Sequence, residues 1–438
     1  MSKNNIVFVI NTNEYYRNYI TSNCLSEIKA DCTFLLNKDL TRKQIPQAKR
    51  DRVLEFSYSK EKARLHFHLF NTNTRRYGNR SLTFKFRFMR LPKFLKIKYS
   101  LLSFPVIYDL FKLYVFLGTK DKELEELIEK TKPSLILIPS SGFEGVTFEF
   151  IRIAKKYQIP VCLLIDNWDN LCSKTIFTRR PDYLAVWGKQ SVEHTMRIHN
   201  VDRERVFVLG TPRFESYFRQ RSEKLPSPYP FRFALFSGNA IPFDEISTLR
   251  ELDGIISHLE DQIKIVYRPH PWRHPRKSFD TFFDWDFKNV ILDTDARAYY
   301  KREQNNIIPG LDYYPRLLSN MEFMICPLST MLIEGLIFNK KVFVITYDDG
   351  IHLTSPKNAF KYYEHFRKIE QLPNVIIVDK IEKLKYIFNN PNISNAKVNS
   401  KSKYSNLNYY LSEDTRNYSL NLKRLCETII QKENEKTA

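Results

Sequence analysis

The chain has 438 residues, more than the roughly 250 to 300 residues at which single hydrophobic cores stop growing, so its length predicts two domains. Its hydrophobic content of 43%, with 33 Phe and 25 Tyr, is enough for two cores and excludes a disordered protein. The net charge of +20 indicates an anionic partner, but the sequence has no helix-turn-helix, zinc-knuckle or RNP-like pattern, so we expect no nucleic acid as partner.

The six cysteines form no Cys-x-x-Cys pair and have no metal-ligand spacing with the nine histidines. They are typical of reduced thiols, and the sequence predicts neither a metal site nor a cofactor. The first apolar run ends at Asn11, too early for a signal peptide, and no stretch approaches the roughly 18 apolar residues of a membrane span. We therefore expect a cytoplasmic protein, soluble or held at the inner face of the plasma membrane.

Strands and helices alternate through the first half of the chain, which predicts a parallel sheet. We therefore assign residues 1–218 to an amino-terminal Rossmann-like domain. The predicted strands are 6–10, 135–138, 159–165, 183–187 and 206–209, and the predicted helices are 121–130, 143–157 and 191–199.

Residues 219–230 contain three basic residues and three prolines and are predicted to link the domains. The alternation restarts in residues 231–388, a second Rossmann-like domain, and 389–438 form a polar segment with a terminal helix. The predicted fold class is α/β, with two Rossmann-like domains facing a central cleft. The second domain's predicted strands are 231–236, 263–267, 290–292, 323–325 and 342–346, with helices at 243–259, 313–319 and 330–338.

Polar loops that follow strands are the candidate site, because parallel sheets bind ligands at the carboxyl ends of their strands. Gly238 and Asn239 follow the first strand of the second half and are expected to contact the nucleotide. Arg268 and His270 flank Pro269, which stiffens the turn, and such a cation pair suits a diphosphate. The alternative is a rigid loop in which His270 caps a neighbouring group.

A second anion site is expected where Ser329 and Thr330 precede a helix, since hydroxyls and free N–H groups meet there at the positive helix end. Glu334 lies four residues after Thr330 and could accept hydrogen bonds from a ribose or sugar hydroxyl. The alternative is an ordinary helix cap with a solvated glutamate.

Three acids of the first half follow strands and are candidates to take a proton from an acceptor hydroxyl: Glu144, Asp166 and Asp169. The sequence does not choose among them, and each could instead be a helix-start charge or a loop cap. Residues 75–98 carry nine Lys/Arg and no acid, interleaved with apolar groups. This segment suits an anionic membrane surface or a polyanionic glycan, or is a basic helix or strand packed on the first domain.

Two segments of the second half resemble motifs of GT-B transferases that use cytidine nucleotides, namely CDP-glycerol glycerophosphotransferases, capsule Kdo transferases and bacterial sialyltransferases. Arg268-Pro269-His270-Pro271 resembles their His-Pro motif, and residues 326–335 resemble their Ser-Ser/Thr motif. The resemblance implies that His270, Ser329 and Thr330 contact the donor phosphates and that Glu334 faces the ribose.

Three segments of the first half resemble uncharacterised surface-polysaccharide transferases of this group. They are residues 166–171, Trp187-Gly188 and Gly210-Thr211-Pro212-Arg213, and the whole resemblance covers roughly residues 130–350. It implies a metal-independent transferase that moves a sugar or polyol phosphate from a nucleotide-activated, CDP-glycerol-like donor to a growing bacterial surface polysaccharide. Its acceptor would be a glycan or a lipid-linked glycan, bound by residues 1–218, and residues 231–388 would be the nucleotide-donor domain. The alternatives are a non-hydrolysing UDP-N-acetylglucosamine 2-epimerase and a non-catalytic polyanion-binding protein.

Overall fold

The computed structural model divides into two compact units, Met1–Glu215 with Asn408–Ala438, and Ser216–Leu407. It describes residues 4–40, 52–240, 242–258, 263–270, 282, 285–296, 311–389 and 402–437.

Unit 1 contains a seven-stranded parallel sheet of order β3-β2-β1-β4-β5-β6-β7. Its strands are β1 (Asn5–Ile10), β2 (Asp31–Asn37), β3 (Arg52–Phe56), β4 (Leu135–Ser140), β5 (Val161–Ile165), β6 (Tyr183–Val186) and β7 (Val206–Val208). The central strands β4 and β5 are buried along their whole length, which explains their nearly continuous apolar sequences.

Nine α-helices belong to the part of unit 1 that precedes residue 215, among the residues described. They are α1 (Asn13–Tyr15), α2 (Lys60–Tyr77), α3 (Leu82–Met89), α4 (Lys93–Leu101), α5 (Pro105–Gly118), α6 (Lys122–Thr131), α7 (Gly145–Lys156), α8 (Asn170–Ser173) and α9 (Lys189–His199). Asp121 caps α6 by accepting from the Leu124 N–H, and Asn200 ends α9 in the left-handed conformation.

The basic segment 75–98 falls on α2, α3 and α4 rather than on a strand. Phe84 and Phe86 of α3 are buried, so part of its apolar sequence belongs to the core of unit 1. No single helix of the described ranges has the length and apolar composition of a membrane span, whereas α4 and α5 pass that test as a pair bent by 94°.

Unit 2 contains a six-stranded parallel sheet of order β10-β9-β8-β11-β12-β13. Its strands are β8 (Phe233–Ser237), β9 (Lys264–Arg268), β10 (Val290–Leu292), β11 (Phe323–Pro327), β12 (Lys341–Ile345) and β13 (Val375–Val378). Its described helices are α10 (Glu215–Gln220), which begins at the last residue of unit 1, α11 (Glu245–Ile256), α12 (Tyr313–Asn320), α13 (Met331–Ile337), α14 (Pro356–Tyr362) and α15 (Glu382–Asn389).

The chain returns to unit 1 in its last helix, α16 (Tyr418–Thr437). Tyr418, Leu422 and Ile429 are buried in the same apolar cluster as strands β1 and β2. The sequence-based boundaries left residues 389–438 outside both domains, but the structure assigns Asn408–Ala438 to unit 1. Contacts between segments so distant in sequence leave no local pattern, so the sequence could not predict this return.

Each sheet changes the direction of its strand order once, and loops at the carboxyl ends of the two strands flanking that point diverge to leave a crevice. In unit 1 this switch point lies between β1 and β4, and in unit 2 it lies between β8 and β11.

Candidate functional site

Asp166 follows β5 directly, and its carboxylate lies close to the segment that follows β1. The Asn18 side-chain amide donates to Asp166 Oδ1 at 3.1 Å. Burial raises the pKa of Asp166 above its ordinary value, and the nearby Glu144 adds to this, although Arg213, Asn18 and Arg17 act in the opposite direction. A desolvated carboxylate with a raised pKa is the type of group that accepts a proton near neutral pH.

Glu144 lies at the start of α7, beside the loop after β4. Its carboxylate accepts hydrogen bonds from the hydroxyls of Tyr15, Ser140 and Ser141, the latter two at 2.6 and 2.8 Å. It also accepts from the backbone N–H groups of Ser141 and Phe143 at 3.3 and 3.2 Å. Five donors fix this carboxylate in place, so Glu144 holds the loop in shape and is a poorer candidate for proton transfer than Asp166.

Asp169 begins the short helix α8. Its carboxylate accepts from the Ser173 hydroxyl at 2.7 Å and lies 3.6 Å from the Lys174 ammonium. Both contacts bind the Asp169 carboxylate to side chains at the end of α8, so Asp166 is the better candidate for proton transfer.

Glu14 was not among the predicted site residues, although it lies in the same group. Burial raises its pKa, and Asp166 contributes to the rise, while Arg17 and Lys174 act against it. Glu14 and Asp166 are thus two desolvated carboxyl groups close to each other beside the switch point of unit 1. The rule used for the other strands, that polar residues after a buried strand are candidates, would have found Glu14 had it been applied to the loop after β1.

In unit 2, Gly238 and Asn239 join the loops of three strands around the switch point. The Gly238 N–H donates to the Arg268 carbonyl at 2.7 Å, and the Asn239 side chain donates to the Leu328 carbonyl after β11. A Cβ on Gly238 would lie 2.7 Å from Glu245 Oε2 and 3.1 Å from the His270 nitrogen. Only glycine therefore allows the loops after β8 and β9 to approach this closely.

Arg268 lies at the predicted position, but its side chain points into the core of unit 2. It is 4% exposed, its Nε lies 3.7 Å from Asp293 Oδ2, and one of its amino groups donates to the Tyr314 hydroxyl at 3.3 Å. The expected cation pair aimed at a diphosphate is therefore not formed, because the buried Asp293 binds the guanidinium. His270 is half-buried at the loop, and Pro271 lies outside the described residues.

Ser329 and Thr330 lie half-buried after β11, as predicted, and the Ser329 hydroxyl accepts from the Met331 N–H at 3.3 Å. The helix that follows them, α13, has only seven residues. Glu334 is buried, and its carboxylate accepts from the Tyr217 hydroxyl at 3.2 Å within unit 2. This contact differs from both expectations for Glu334, a ribose contact and a solvated charge.

Among the residues that the structure describes, no group of three or more His, Cys, Asp or Glu side chains is arranged to hold a metal ion.

Comparison with known proteins shows the fold of this chain. No protein-family profile and no curated protein matches it. The UDP-GlcNAc 2-epimerase of Methanocaldococcus jannaschii has a similar solved structure, with 12% identity, 96% of this chain and 99% of that chain covered, and a TM-score of 0.52. Another UDP-N-acetylglucosamine 2-epimerase matches at 14% identity, with 96% of each chain covered and a TM-score of 0.52. MurG of Acinetobacter baumannii is more distant, at 10% identity, coverages of 98% and 99%, and a TM-score of 0.45.

At these identities the comparisons show the fold alone. The chain has two Rossmann-like α/β domains with parallel sheets, and its fold is GT-B-like, as predicted.

Proposed function

We propose that the chain is a glycosyltransferase or glycerophosphotransferase that uses a nucleotide-activated donor. The observation that carries the proposal is Asp166, a desolvated carboxyl with a raised pKa beside the switch point of the unit 1 sheet, where Asn18 from the segment after β1 donates to it. An inverting transfer needs one such group, and α/β sheets bind their ligands at this edge.

In the proposed reaction, Asp166 takes the proton of the acceptor hydroxyl while the hydroxyl oxygen bonds to the transferred group. The bond between that group and the nucleotide phosphate breaks, and the nucleotide leaves with the electron pair. The raised pKa of Asp166 favours this step, because a carboxylate with a higher pKa is a stronger base.

The donor nucleotide is assigned to unit 2, at the loops of Gly238, Asn239, His270, Ser329 and Thr330. These residues follow β8, β9 and β11, the strands at and beside the switch point. The resemblance to cytidine-nucleotide transferases favours a CMP- or CDP-activated donor. It also favours a bacterial surface polysaccharide, free or lipid-linked, as the acceptor.

A second candidate is a non-hydrolysing UDP-N-acetylglucosamine 2-epimerase, which would need several carboxylates acting with an arginine. The observation that favours it is the pair of Glu14 and Asp166, whose pKa values are both lowered by Arg17, with the Glu144 carboxylate nearby. Against it, the five donors on the Glu144 carboxylate leave that group little capacity for proton transfer.

The two functions can be separated in D₂O by NMR with CDP-glycerol, CMP-sialic acid and UDP-N-acetylglucosamine as donors, each with and without a bacterial surface polysaccharide. The transferase releases nucleotide only when the acceptor is present. Inversion of UDP-N-acetylglucosamine at C2 without acceptor, with deuterium entering at that carbon, would instead identify an epimerase. Binding of the polysaccharide without turnover of any donor would identify a polyanion-binding protein.

A further inference from the structure

Helix α5 exposes large apolar side chains on the face directed away from unit 1. Val106 is 74% exposed and Leu110 is 65% exposed, and Leu113 and Leu117 continue the same face. The opposite face packs against unit 1 through the buried Val115. A helix that is apolar on both faces normally has both of them covered.

The preceding helix α4 extends this surface. Phe94 is 68% exposed, and Ile97, Leu101 and Phe104 are exposed beside it. We refer to the exposed side chains of these two helices as the α4–α5 apolar surface, which comprises Phe94, Ile97, Leu101, Phe104, Val106, Ile107, Leu110, Leu113, Tyr114 and Leu117. Soluble monomers rarely expose so many neighbouring apolar groups, and a surface of this kind marks an interaction site.

Side chains on the inner face of α5 attach this surface to the rest of unit 1. The Tyr108 hydroxyl of α5 donates to Asn73 Oδ1 of α2 at 2.9 Å, and the Arg76 guanidinium lies 4.0 Å from the centre of the Tyr108 ring. Farther along α5, the Arg179 guanidinium lies 3.9 Å from the centre of the Phe116 ring. Because these contacts use the inner face of α5, its outer apolar face cannot turn toward the core.

The charges around the surface are almost all positive. Residues 75–118 contain ten Lys or Arg and a single acid, Asp109. Lys93, Lys96 and Lys98 lie on α4 among its exposed apolar residues, and Lys112 lies on α5. Apolar side chains surrounded by cations match the chemistry of an anionic bilayer, whose headgroups attract the cations while its acyl chains receive the apolar groups.

We propose that the α4–α5 apolar surface docks unit 1 onto an anionic lipid membrane, with both helices lying in the interface. The 14 residues of α5 extend about 21 Å, less than the hydrocarbon core of about 30 Å, and Asp109 and Lys112 lie in the middle of the helix. The bend of 94° between the helices also places α4 across the direction of α5. The pair therefore suits the interface better than a span.

The proposed surface goes beyond the proposed reaction, because it brings the enzyme to a membrane whichever group is transferred. The proposed membrane contact also differs from the one predicted from the sequence, which was the basic segment 75–98. Phe84 and Phe86 of that segment are buried in unit 1, whereas the exposed apolar residues lie mainly between 94 and 117.

Vesicle flotation of the full chain tests the proposal, with phosphatidylglycerol–phosphatidylcholine vesicles and with phosphatidylcholine alone. We expect binding to the anionic vesicles that falls about tenfold or more in the variant Leu110→Ser/Leu113→Ser and in the variant Lys93→Gln/Lys96→Gln/Lys98→Gln. High salt should weaken binding of the wild type, since the attraction is partly electrostatic.

The matched controls lie in unit 2. Ile351→Ser/Leu353→Ser removes two equally exposed apolar side chains, and Lys357→Gln/Lys361→Gln/Lys385→Gln removes three exposed lysines. Both controls should float with vesicles like the wild type. Equal loss in the controls, or equal binding to uncharged vesicles, overturns the proposal.

A second copy of this chain could instead cover the surface, and sedimentation velocity distinguishes the two occupants. A dimer that Leu110→Ser/Leu113→Ser converts to a monomer, together with no vesicle binding by the wild type, also overturns the proposal. Thermal unfolding of every variant near the wild-type temperature shows that the fold is kept, which is expected because the altered side chains face outward.

Discussion

The side chain of Asn18 donates a hydrogen bond of 3.1 Å to Asp166, a residue 148 positions later in the chain. This contact joins the segment after β1 to the residue after β5 across the strand β4 that separates them in the sheet. Burial raises the pKa of this carboxylate, and the Asn18 amide helps to hold it in a defined orientation.

Replacement of this carboxylate should abolish proton transfer while leaving donor binding intact. We expect Asp166→Asn to lower kcat by about 10²- to 10⁴-fold, the usual contribution of a general base, with little change in nucleotide affinity. Steady-state kinetics and calorimetry on the same variant measure both. The control Asp202→Asn alters an exposed aspartate and should retain activity; equal activity of Asp166→Asn and the control would exclude Asp166 as the base.

The raised pKa of Asp166 predicts how the reaction rate and the stability of the fold depend on pH. Folding raises the pKa of Asp166 above 3.8, so the carboxyl stays protonated to higher pH and kcat/KM should fall as pH drops through this raised value. The folded chain binds this proton more tightly than the unfolded chain, so the resulting stability is present at low pH and lost as pH rises through the folded pKa. Asp166→Asn should remove both the acid limb of the rate and this loss of stability.

Alanine substitutions of Gly238 and Gly254 in unit 2 test how closely the loops pack at the switch point. Gly238→Ala places a Cβ 2.7 Å from Glu245 Oε2, which also accepts from the Tyr267 hydroxyl at 2.7 Å and cannot move freely. We expect a loss of about 1 to 3 kcal/mol in the free energy of unfolding and weaker nucleotide binding.

The control is Gly254→Ala in α11, where a Cβ would meet nothing within 4 Å. It should raise the free energy of unfolding by about 0.5 to 1 kcal/mol, because glycine weakens a helix interior. Denaturant unfolding measures both variants. If Gly238→Ala and Gly254→Ala changed the free energy of unfolding equally, the close approach of the loops would not require glycine at position 238.

The buried pair of Arg268 and Asp293 should stabilise unit 2 rather than bind phosphate. Arg268→Ala leaves the buried Asp293 carboxylate without its cation, and among the described residues only hydrogen bonds from Tyr229, Tyr313 and the Ala296 N–H remain. We therefore expect a loss of about 3 to 5 kcal/mol without any ligand present. Arg232→Ala breaks an exposed pair with Glu322 and should change stability by only about 0 to 1 kcal/mol. If Arg268→Ala kept full stability but lost nucleotide binding, the phosphate role predicted from the sequence would stand instead.

Removal of the returning segment should unfold unit 1. Deleting residues 408–438 takes several buried side chains from its core, each contributing about 1.5 to 3 kcal/mol, against a total stability of about 5 to 15 kcal/mol. Deleting only 432–438 removes the end of α16, where the described side chains are exposed or half-buried, and should be tolerated. Circular dichroism and limited proteolysis distinguish the two, and a folded unit 1 after the longer deletion would contradict the structure.

The sheets could be predicted from the sequence because buried parallel strands are short, continuous apolar runs, as in β4 and β5. Their polar loops followed from the same pattern, which identified Asp166 and Gly238. The direction of a side chain could not be predicted in this way. Arg268 turns inward because Asp293, at the end of another strand, lies beside it, and only the folded sheet brings the two together.

The same limit applies to Glu144 and Glu334. Both lie where the sequence predicted, but their carboxylates are bound by Tyr15 and Tyr217, residues 129 and 117 positions away. The exposure of a side chain also depends on distant parts of the chain. The sequence of α5 has the apolar composition of a core helix, and only the structure shows that no element among the described residues covers one of its faces.

Calorimetric titration of CMP, CDP, UMP, UDP and GDP into the wild type and His270→Ala, without added metal, tests the central claim most directly. We predict binding of a cytidine nucleotide that falls tenfold or more in the variant, about 1.4 kcal/mol. Selective binding of uridine nucleotides would move the assignment toward the epimerase. No binding of any nucleotide to the folded wild type would contradict a donor site in unit 2 and, with it, the proposed transferase.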